Sequence, residues 1–146
     1  MAGHKRSKDK KKYFTVAEAN ASLPLVRSIV KDLTELAIDM RARYERLMHV
    51  QPGTGGTSDA HQKELQRAQE EFEHDQDRLR DYEQELTDLG VCLKDYQAGL
   101  IDFPCWVDNR EVYLCWRLGE PEVAFWHEID AGFAGRRRLT ANPASR

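Results

Sequence analysis

The sequence lacks long apolar segments and is poor in cysteine, and both absences exclude classes of protein. No apolar run approaches the ~20 residues that a membrane-spanning helix requires, and Met1 leads into a basic stretch, so no secretory signal is visible. Three cysteines at irregular spacing argue against a disulfide framework and for a reducing compartment. We therefore predict a cytoplasmic protein that does not associate with membranes.

The net charge of −3 hides a segregation of charge along the 146 residues. Residues 1–12 carry six positive side chains and one negative, and residues 136–146 carry four positive ones, so residues 13–135 carry −12. We predict a disordered basic tail over 1–12, because residues 4–12 have no apolar side chain to bury, and a second basic tail over 136–146. Nucleic acid is a possible partner of such tails, but the acidic body disfavours it, since it repels phosphate.

The body begins with a helical pattern. Thr15 and Glu18 have the spacing of a capping box, which predicts a short helix over about 15–22. Pro24 cannot donate a backbone hydrogen bond and disfavours helical geometry before it, so we expect a break or a restart there. Apolar residues then recur at helical period as far as Leu47.

A second helix completes a predicted antiparallel hairpin over 15–89. Residues 51–59 have the composition of a loop, and the helix should run from about Ala60 to Leu89 and end at Gly90. Its apolar stripe is thin, and it is interrupted by Asp75 as the first helix is by Arg43. One such hairpin buries little by itself, so we expect a homodimer that completes a four-helix bundle. The stripe consists of Leu65, Phe72, Leu79 and Leu86, with Ala68, Tyr82 and Leu89.

After Gly90 the pattern changes to that of a small antiparallel β meander over 91–130 with three to four strands. The segments 111–118 and 123–129 are rich in branched and aromatic residues, as strands are. The fold class is therefore α+β, with one domain over 13–135.

Two turns predict the register of this meander. The turn at Asp108-Asn109 pairs Val107 with Arg110, and the turn over 119–122 pairs Leu118 with Val123. Because side chains alternate along a strand, one face is then apolar and packs on the helices, whereas the other mixes rings with charges. The apolar face contains Phe103, Cys105, Val112, Leu114, Trp116, Leu118, Val123, Phe125 and His127. The mixed face contains Asp102, Tyr113, Cys115, Arg117, Trp126 and Glu128.

Four segments carry a resemblance to a known family. They are Gly99-Leu-Ile-Asp-Phe-Pro104, Arg110 to Glu120, Phe125 to Gly135, and the opening Phe14-Thr-Val-Ala-Glu-Ala-Asn-Ala-Ser-Leu-Pro-Leu25. Over about residues 14–137 the chain resembles a bacterial and archaeal family of uncharacterised proteins, the domain of unknown function 2203. The resemblance implies no activity and supplies no catalytic residue.

We place the candidate site on the strong hairpin over 111–129 and its neighbours. Its residues, as ligand- or partner-binding candidates, are Asp102, Tyr113, Cys115, Arg117, Glu120, Trp126, His127 and Glu128. No catalytic residue and no cofactor is predicted. No metal site is predicted, because a lone histidine at the rim of an apolar face is more often a hydrogen-bonded structural residue. His127 is the alternative candidate for a metal ligand: the predicted register gives it Cys105 as a neighbour on its own face, a pair that suits zinc, but a set of four ligands is not evident. Glu71 and His74 have the Glu-x-x-His spacing of di-iron bundles, but one copy is not a site and a solvated acidic face is favoured.

The sequence is compatible with three functional hypotheses. The leading hypothesis is a non-enzymatic oligomeric binding or scaffold module with a partner or ligand surface on the 111–129 hairpin. The alternatives are a metal- or small-ligand-binding protein, or an enzyme, that uses the region of His127 and Glu128, and a nucleic-acid-associated protein that uses its basic tails.

Overall fold

The computed structural model describes residues 11–49 and 59–139, which form a helical hairpin followed by an antiparallel sheet. Residues 51–58 of the predicted loop and the tail residues 1–10 and 140–146 lie outside the described residues. The helices are α1 (Val16–Met48) and α2 (Asp59–Asp88). The strands are β1 (Cys92–Asp95), β2 (Leu100–Val107), β3 (Arg110–Arg117), β4 (Phe125–Glu128) and β5 (Arg137–Arg138), with a 3₁₀ helix at Phe133–Gly135 before the last. The α+β fold class is therefore confirmed.

Helix α1 begins at the predicted capping box but does not break at Pro24. The Thr15 side chain accepts a hydrogen bond from the Glu18 N–H and the Glu18 carboxylate accepts one from the Thr15 N–H, both at 3.0 Å. The predicted break is wrong, since the helix continues through Pro24 to Met48. Leu23 and Val26, on either side of the proline, are both buried in the core. Burial of one continuous apolar face outweighs the backbone hydrogen bond that proline cannot make.

Helix α2 ends at a left-handed glycine, as the sequence predicts. Gly90 has φ +91°, and the Val91 N–H donates to the Leu86 carbonyl at 2.9 Å, which closes the helix end. The two charges that interrupt the apolar seam meet across it: the Arg43 guanidinium donates to the Asp75 carboxylate. Neither described helix is long and apolar enough to cross a membrane.

The sheet has five strands in the order β1-β2-β3-β4-β5, which is one more than the upper prediction. Asp108 and Asn109 both have positive φ, 50° and 65°, and form the predicted two-residue turn. Val107 pairs with Arg110 and Phe103 with Leu114, so the predicted register of β2 on β3 is confirmed. Ordered structure continues past residue 135, where we expected it to end, because Arg137 and Arg138 pair with β4.

The predicted register of β4 on β3 is wrong by one residue. Cys115 pairs with Phe125 and Tyr113 with His127, whereas the turn over 119–122 predicted pairs of Trp116 with Phe125 and Leu114 with His127. A one-residue shift moves each β4 side chain to the other face. His127 and Phe125 therefore share the face of Cys115, and Trp126 joins the face that packs on the helices.

The core lies between the sheet and the hairpin. Ile101, Phe103, Leu114 and Trp116 are fully buried against the apolar faces of the helices, and Trp126 at 8% exposure belongs to the same cluster. The residues on the far face of the sheet are therefore not covered by the hairpin. Asp102, Pro104, Cys115 and His127 on this face are nevertheless buried.

Candidate metal centre

Asp102, Cys115 and His127 form a buried cluster on the far face of the sheet, each from a different strand. Asp102 on β2 lies directly opposite Cys115 on β3, and His127 on β4 lies diagonal to Cys115 because it pairs with Tyr113. One ligand atom from each side chain lies within 4.8 Å of the others. The side chains are 2%, 0% and 2% exposed, so the cluster is closed to solvent.

The His127 ring is held in one orientation by its two nitrogens. Nδ1 lies 2.7 Å from the Glu128 carbonyl oxygen, and since a carbonyl only accepts, Nδ1 carries the proton and donates it. Nε2 lies 3.1 Å from Oδ1 of Asp102. A backbone carbonyl on one ring nitrogen, with the other nitrogen directed at the remaining ligand candidates, is the arrangement found for metal-ligating histidines.

Burial sets the protonation of the other two groups. It raises the pKa of Asp102, although His127 opposes this, and it raises the pKa of Cys115 to about 12. A thiol with such a pKa is not a nucleophile at neutral pH. Burial therefore disfavours the Cys115 thiolate at neutral pH, whereas a bound metal ion would displace the thiol proton.

The surroundings of the cluster include Tyr113 on β3 and Arg136 in the segment after β4. The Tyr113 ring lies 5.6 Å from the His127 ring. On the Cys115 side, Arg136 donates from Nη2 to the Cys115 carbonyl at 3.4 Å and stacks on the Phe125 ring at 3.9 Å. Arg136 also forms an ion pair with Glu120, at 2.7 Å.

The eight residues that we predicted as a site divide into a cluster and residues outside it. Asp102, Cys115 and His127 come together, whereas Trp126 faces the helices. Glu120 is used by Arg136, and Glu128 pairs with Arg110 at 2.8 Å. Arg117 is exposed and stacks on Phe133 at 5.9 Å.

The cysteine beside His127 is Cys115, whereas the predicted register placed Cys105 there. Cys105 lies on the helix side of the sheet, in the apolar core, and cannot reach His127. Glu71 and His74 lie on α2 but do not belong to a cluster of ligand atoms within the described residues. The replacement of Cys105 by Cys115 beside His127 follows from the β4 register.

Comparison with known protein families matches residues 12–139 to an uncharacterised conserved protein family, DUF2203. The chain belongs to this family. The match covers both helices and the five strands, which confirms the resemblance found in the sequence. No curated protein and no solved structure matches this family member. The cluster is therefore interpreted from its own geometry.

Arg136 is the neighbour of the cluster that the sequence did not predict. The charge of the three consecutive arginines, Arg136 to Arg138, resembles that of the N-terminal tail and therefore predicts a second basic tail. The available signal was Phe133, an aromatic residue three positions earlier in a segment with little else to bury. Arg136 is stacked on that ring at 4.6 Å.

Proposed function

We propose that this protein binds one divalent transition metal ion through Asp102, Cys115 and His127, and that zinc is the ion that fits best. The observation that carries the proposal is the convergence of three ligand atoms within 4.8 Å in a closed site. Zinc holds nitrogen, oxygen and sulfur ligands at tetrahedral corners that are about 3.3–3.7 Å apart, as its bond lengths require. The Nε2–Oδ1 distance of 3.1 Å is close to such an edge.

The chemistry of the ligand set selects the metal. A thiolate and an imidazole favour zinc and similar borderline ions over magnesium or calcium, which prefer oxygen ligands. Asp102 and Cys115 supply two negative charges when deprotonated, which balance a divalent ion in a site that excludes water.

Burial favours this proposal over a partner surface on the 111–129 hairpin. A partner can contact only exposed atoms, and Cys115, Trp126 and His127 are 0%, 8% and 2% exposed. Arg117 is the exposed residue of the predicted set. A metal ion can bind the buried Asp102, Cys115 and His127, whereas a partner on the surface cannot contact them.

The test is metal analysis of protein that is purified without a chelator or an affinity tag. We expect about one zinc per chain in the wild type, and Cys115→Ala and His127→Ala should lose it. Cobalt substitution should give the near-ultraviolet charge-transfer absorption of a cobalt–thiolate bond, which Cys115→Ala removes. Cys105→Ala is the matched control, because Cys105 is an equally buried thiol on the opposite face.

Two outcomes would overturn the proposal. One is wild-type protein that neither contains nor takes up zinc or cobalt. The other is metal content that is unchanged by Cys115→Ala and His127→Ala in folded protein. Circular dichroism of each metal-free variant establishes that it is folded.

We also propose that two copies pair through the helical hairpin. In the 30 residues of α2 only Asp75 and Leu86 are buried, and Tyr44 and Leu65 are 52% and 42% exposed. An open groove of about 360 Å³ lies beside Tyr44. A second hairpin would cover the groove and complete a four-helix bundle. The groove is lined by Ala37, Met40, Arg41, Tyr44, Phe72, Leu79, Tyr96 and Gln97.

A further inference from the structure

Residues 129–139, here called the C-terminal arm, fold back on the sheet beside the proposed metal centre. The arm is held in part by β5, which pairs two residues with β4, and by Leu139, whose N–H donates to the Ala124 carbonyl at 2.8 Å and whose side chain packs against the core. Arg137 and Arg138 also stack on the β4 rings of Trp126 and Phe125. Arg136 differs from these residues because it also contacts the backbone of Cys115.

Arg136 connects the arm to both strands that carry a thiol or imidazole ligand. Its guanidinium donates two hydrogen bonds to the Glu120 carboxylate, at 2.7 and 3.0 Å, and one to the backbone carbonyl of Cys115 at 3.4 Å. It also covers the ring of Phe125, which lies two residues before His127 on β4, at 3.9 Å. The side chain is 14% exposed, so these contacts are shielded from water.

We infer that Arg136 couples metal binding to the docking of the C-terminal arm. This inference rests on the proposed metal centre. Arg136 contacts β3 at the Cys115 carbonyl and β4 at the Phe125 ring, so the docked arm restrains the backbone and side-chain orientations from which Cys115 and His127 project. A metal ion that binds both ligands requires compatible orientations, so each event favours the other. Coupling of this kind is reciprocal: a docked arm tightens metal binding, and bound metal stabilises the docked arm.

The role of Arg136 is that of a positioning residue, since it reaches the site through the Cys115 backbone and the Phe125 ring. Outer residues that orient metal ligands typically change affinity by 10- to 100-fold when they are replaced. Arg136→Gln removes the charge and the two-pronged contact with Glu120. Arg138→Gln is the matched control, because Arg138 stacks on the same Phe125 ring, at 5.2 Å, but is exposed.

The experiment measures zinc affinity by chelator competition and amide hydrogen exchange of the arm, on the full chain with and without zinc. In the wild type, zinc should slow exchange at residues 136 and 139 by at least about tenfold. Arg136→Gln should weaken zinc affinity by about tenfold or more and abolish the zinc-dependent protection. Arg138→Gln should behave as the wild type does.

The outcomes separate this inference from the proposed function. Wild-type protein that binds zinc, with Arg136→Gln and Arg138→Gln indistinguishable in affinity and arm exchange, would overturn the inference alone. Wild-type protein that binds no zinc would overturn both. Should Arg136→Gln fail to fold, Arg136→Lys keeps the charge but loses the two-pronged geometry. It should then show a smaller loss of affinity in the same direction, and unchanged affinity would contradict the coupling.

Discussion

At the residue scale, the pair of Arg43 and Asp75 explains how a hairpin with polar residues in its seam is held. Asp75 is 8% exposed and accepts hydrogen bonds from Arg43 on α1 and from Arg78 on its own helix. Hydrogen bonding to Arg43 lowers the pKa of Asp75, although burial opposes this. Since each side chain would be costly to bury alone, the pair favours the alignment of helices in which the two meet.

Asp75→Asn should lower the free energy of unfolding by about 1–3 kcal/mol at pH 7, because it leaves a buried hydrogen-bonding group poorly satisfied. A carboxylate with a lowered folded-state pKa stabilises the protein above its unfolded-state pKa and loses that effect as pH falls through the folded-state value. The difference between wild type and Asp75→Asn should therefore shrink below about pH 4. Urea denaturation across pH measures it.

The matched control for Asp75→Asn is Asp77→Asn. Asp77 forms an exposed pair with Arg80 on the same helix, so its replacement should cost less than about 1 kcal/mol. Equal losses at the two positions would contradict the role assigned to Asp75.

Gly99→Ala should destabilise the protein through two effects at one position. Gly99 has φ +68°, which disfavours any side chain, and an added Cβ would lie 2.7 Å from Cβ of Leu118. We expect a loss of about 2–4 kcal/mol in the free energy of unfolding, since strain and overpacking add.

Gly119→Ala separates these two effects. Gly119 also has positive φ, at +108°, but an added Cβ would meet no atom within 4 Å. This variant should lose only about 1–2 kcal/mol, as measured by the same denaturation. A loss as large as that of Gly99→Ala would show that the close approach to Leu118 contributes nothing.

At the element scale, the register of β4 determines which residues form the site, because it places His127 on the face of Cys115. The sequence predicts a hairpin with β3 from a four-residue turn, but the connection over 118–124 is longer. Asn20 on α1 binds Val123 through both backbone groups, accepting from its N–H at 2.7 Å and donating to its carbonyl at 3.4 Å. Val123 is held against the helix, at 2% exposure, and is not paired with Leu118. β4 therefore starts at Phe125, and its side chains exchange faces.

Trp126→Ala tests this register. The predicted register left Trp126 dispensable for folding, whereas its position in the core predicts a loss of about 3–5 kcal/mol in unfolding free energy. Trp106→Ala is the control, because Trp106 is 53% exposed and should cost less than about 1–2 kcal/mol. Thermal and urea denaturation distinguish the two registers. A small effect of Trp126→Ala would contradict the register in which Trp126 pairs with Leu114.

At the scale of the whole molecule, the exposed apolar groove on the helical hairpin leads us to predict a homodimer. Light scattering should report about twice the chain mass at micromolar concentration. Phe72 packs on Tyr44 with ring centroids 6.2 Å apart and lines the apolar groove, so Phe72→Asp should dissociate the dimer because a buried unpaired charge is unfavourable.

Gln69→Asp is the control for the assembly test. Gln69 is exposed on the same helix and would gain the same charge outside the groove. It should remain dimeric. A wild-type protein that is monomeric at micromolar concentration would contradict the prediction.

Most elements of this protein can be predicted from its sequence, because their signals are local. The apolar period of α1, the capping box at Thr15, the glycine at 90 and the Asp108-Asn109 turn each act within a few residues. The two-residue turn also determined the register of β2 on β3, since so short a connection permits little choice. The helical hairpin followed by a meander could therefore be predicted.

Tertiary structure alone decided the site, because its determinants are distant in sequence. Asn20 sets the start of β4 from about a hundred residues away, and this places His127 beside Asp102 and Cys115 instead of Cys105. The same packing carries α1 through Pro24 and draws Arg136 from a predicted tail onto Cys115. A one-residue change of register leaves the composition and the strand pattern unaltered while it exchanges the two faces. No local signal in the sequence records which face His127 occupies.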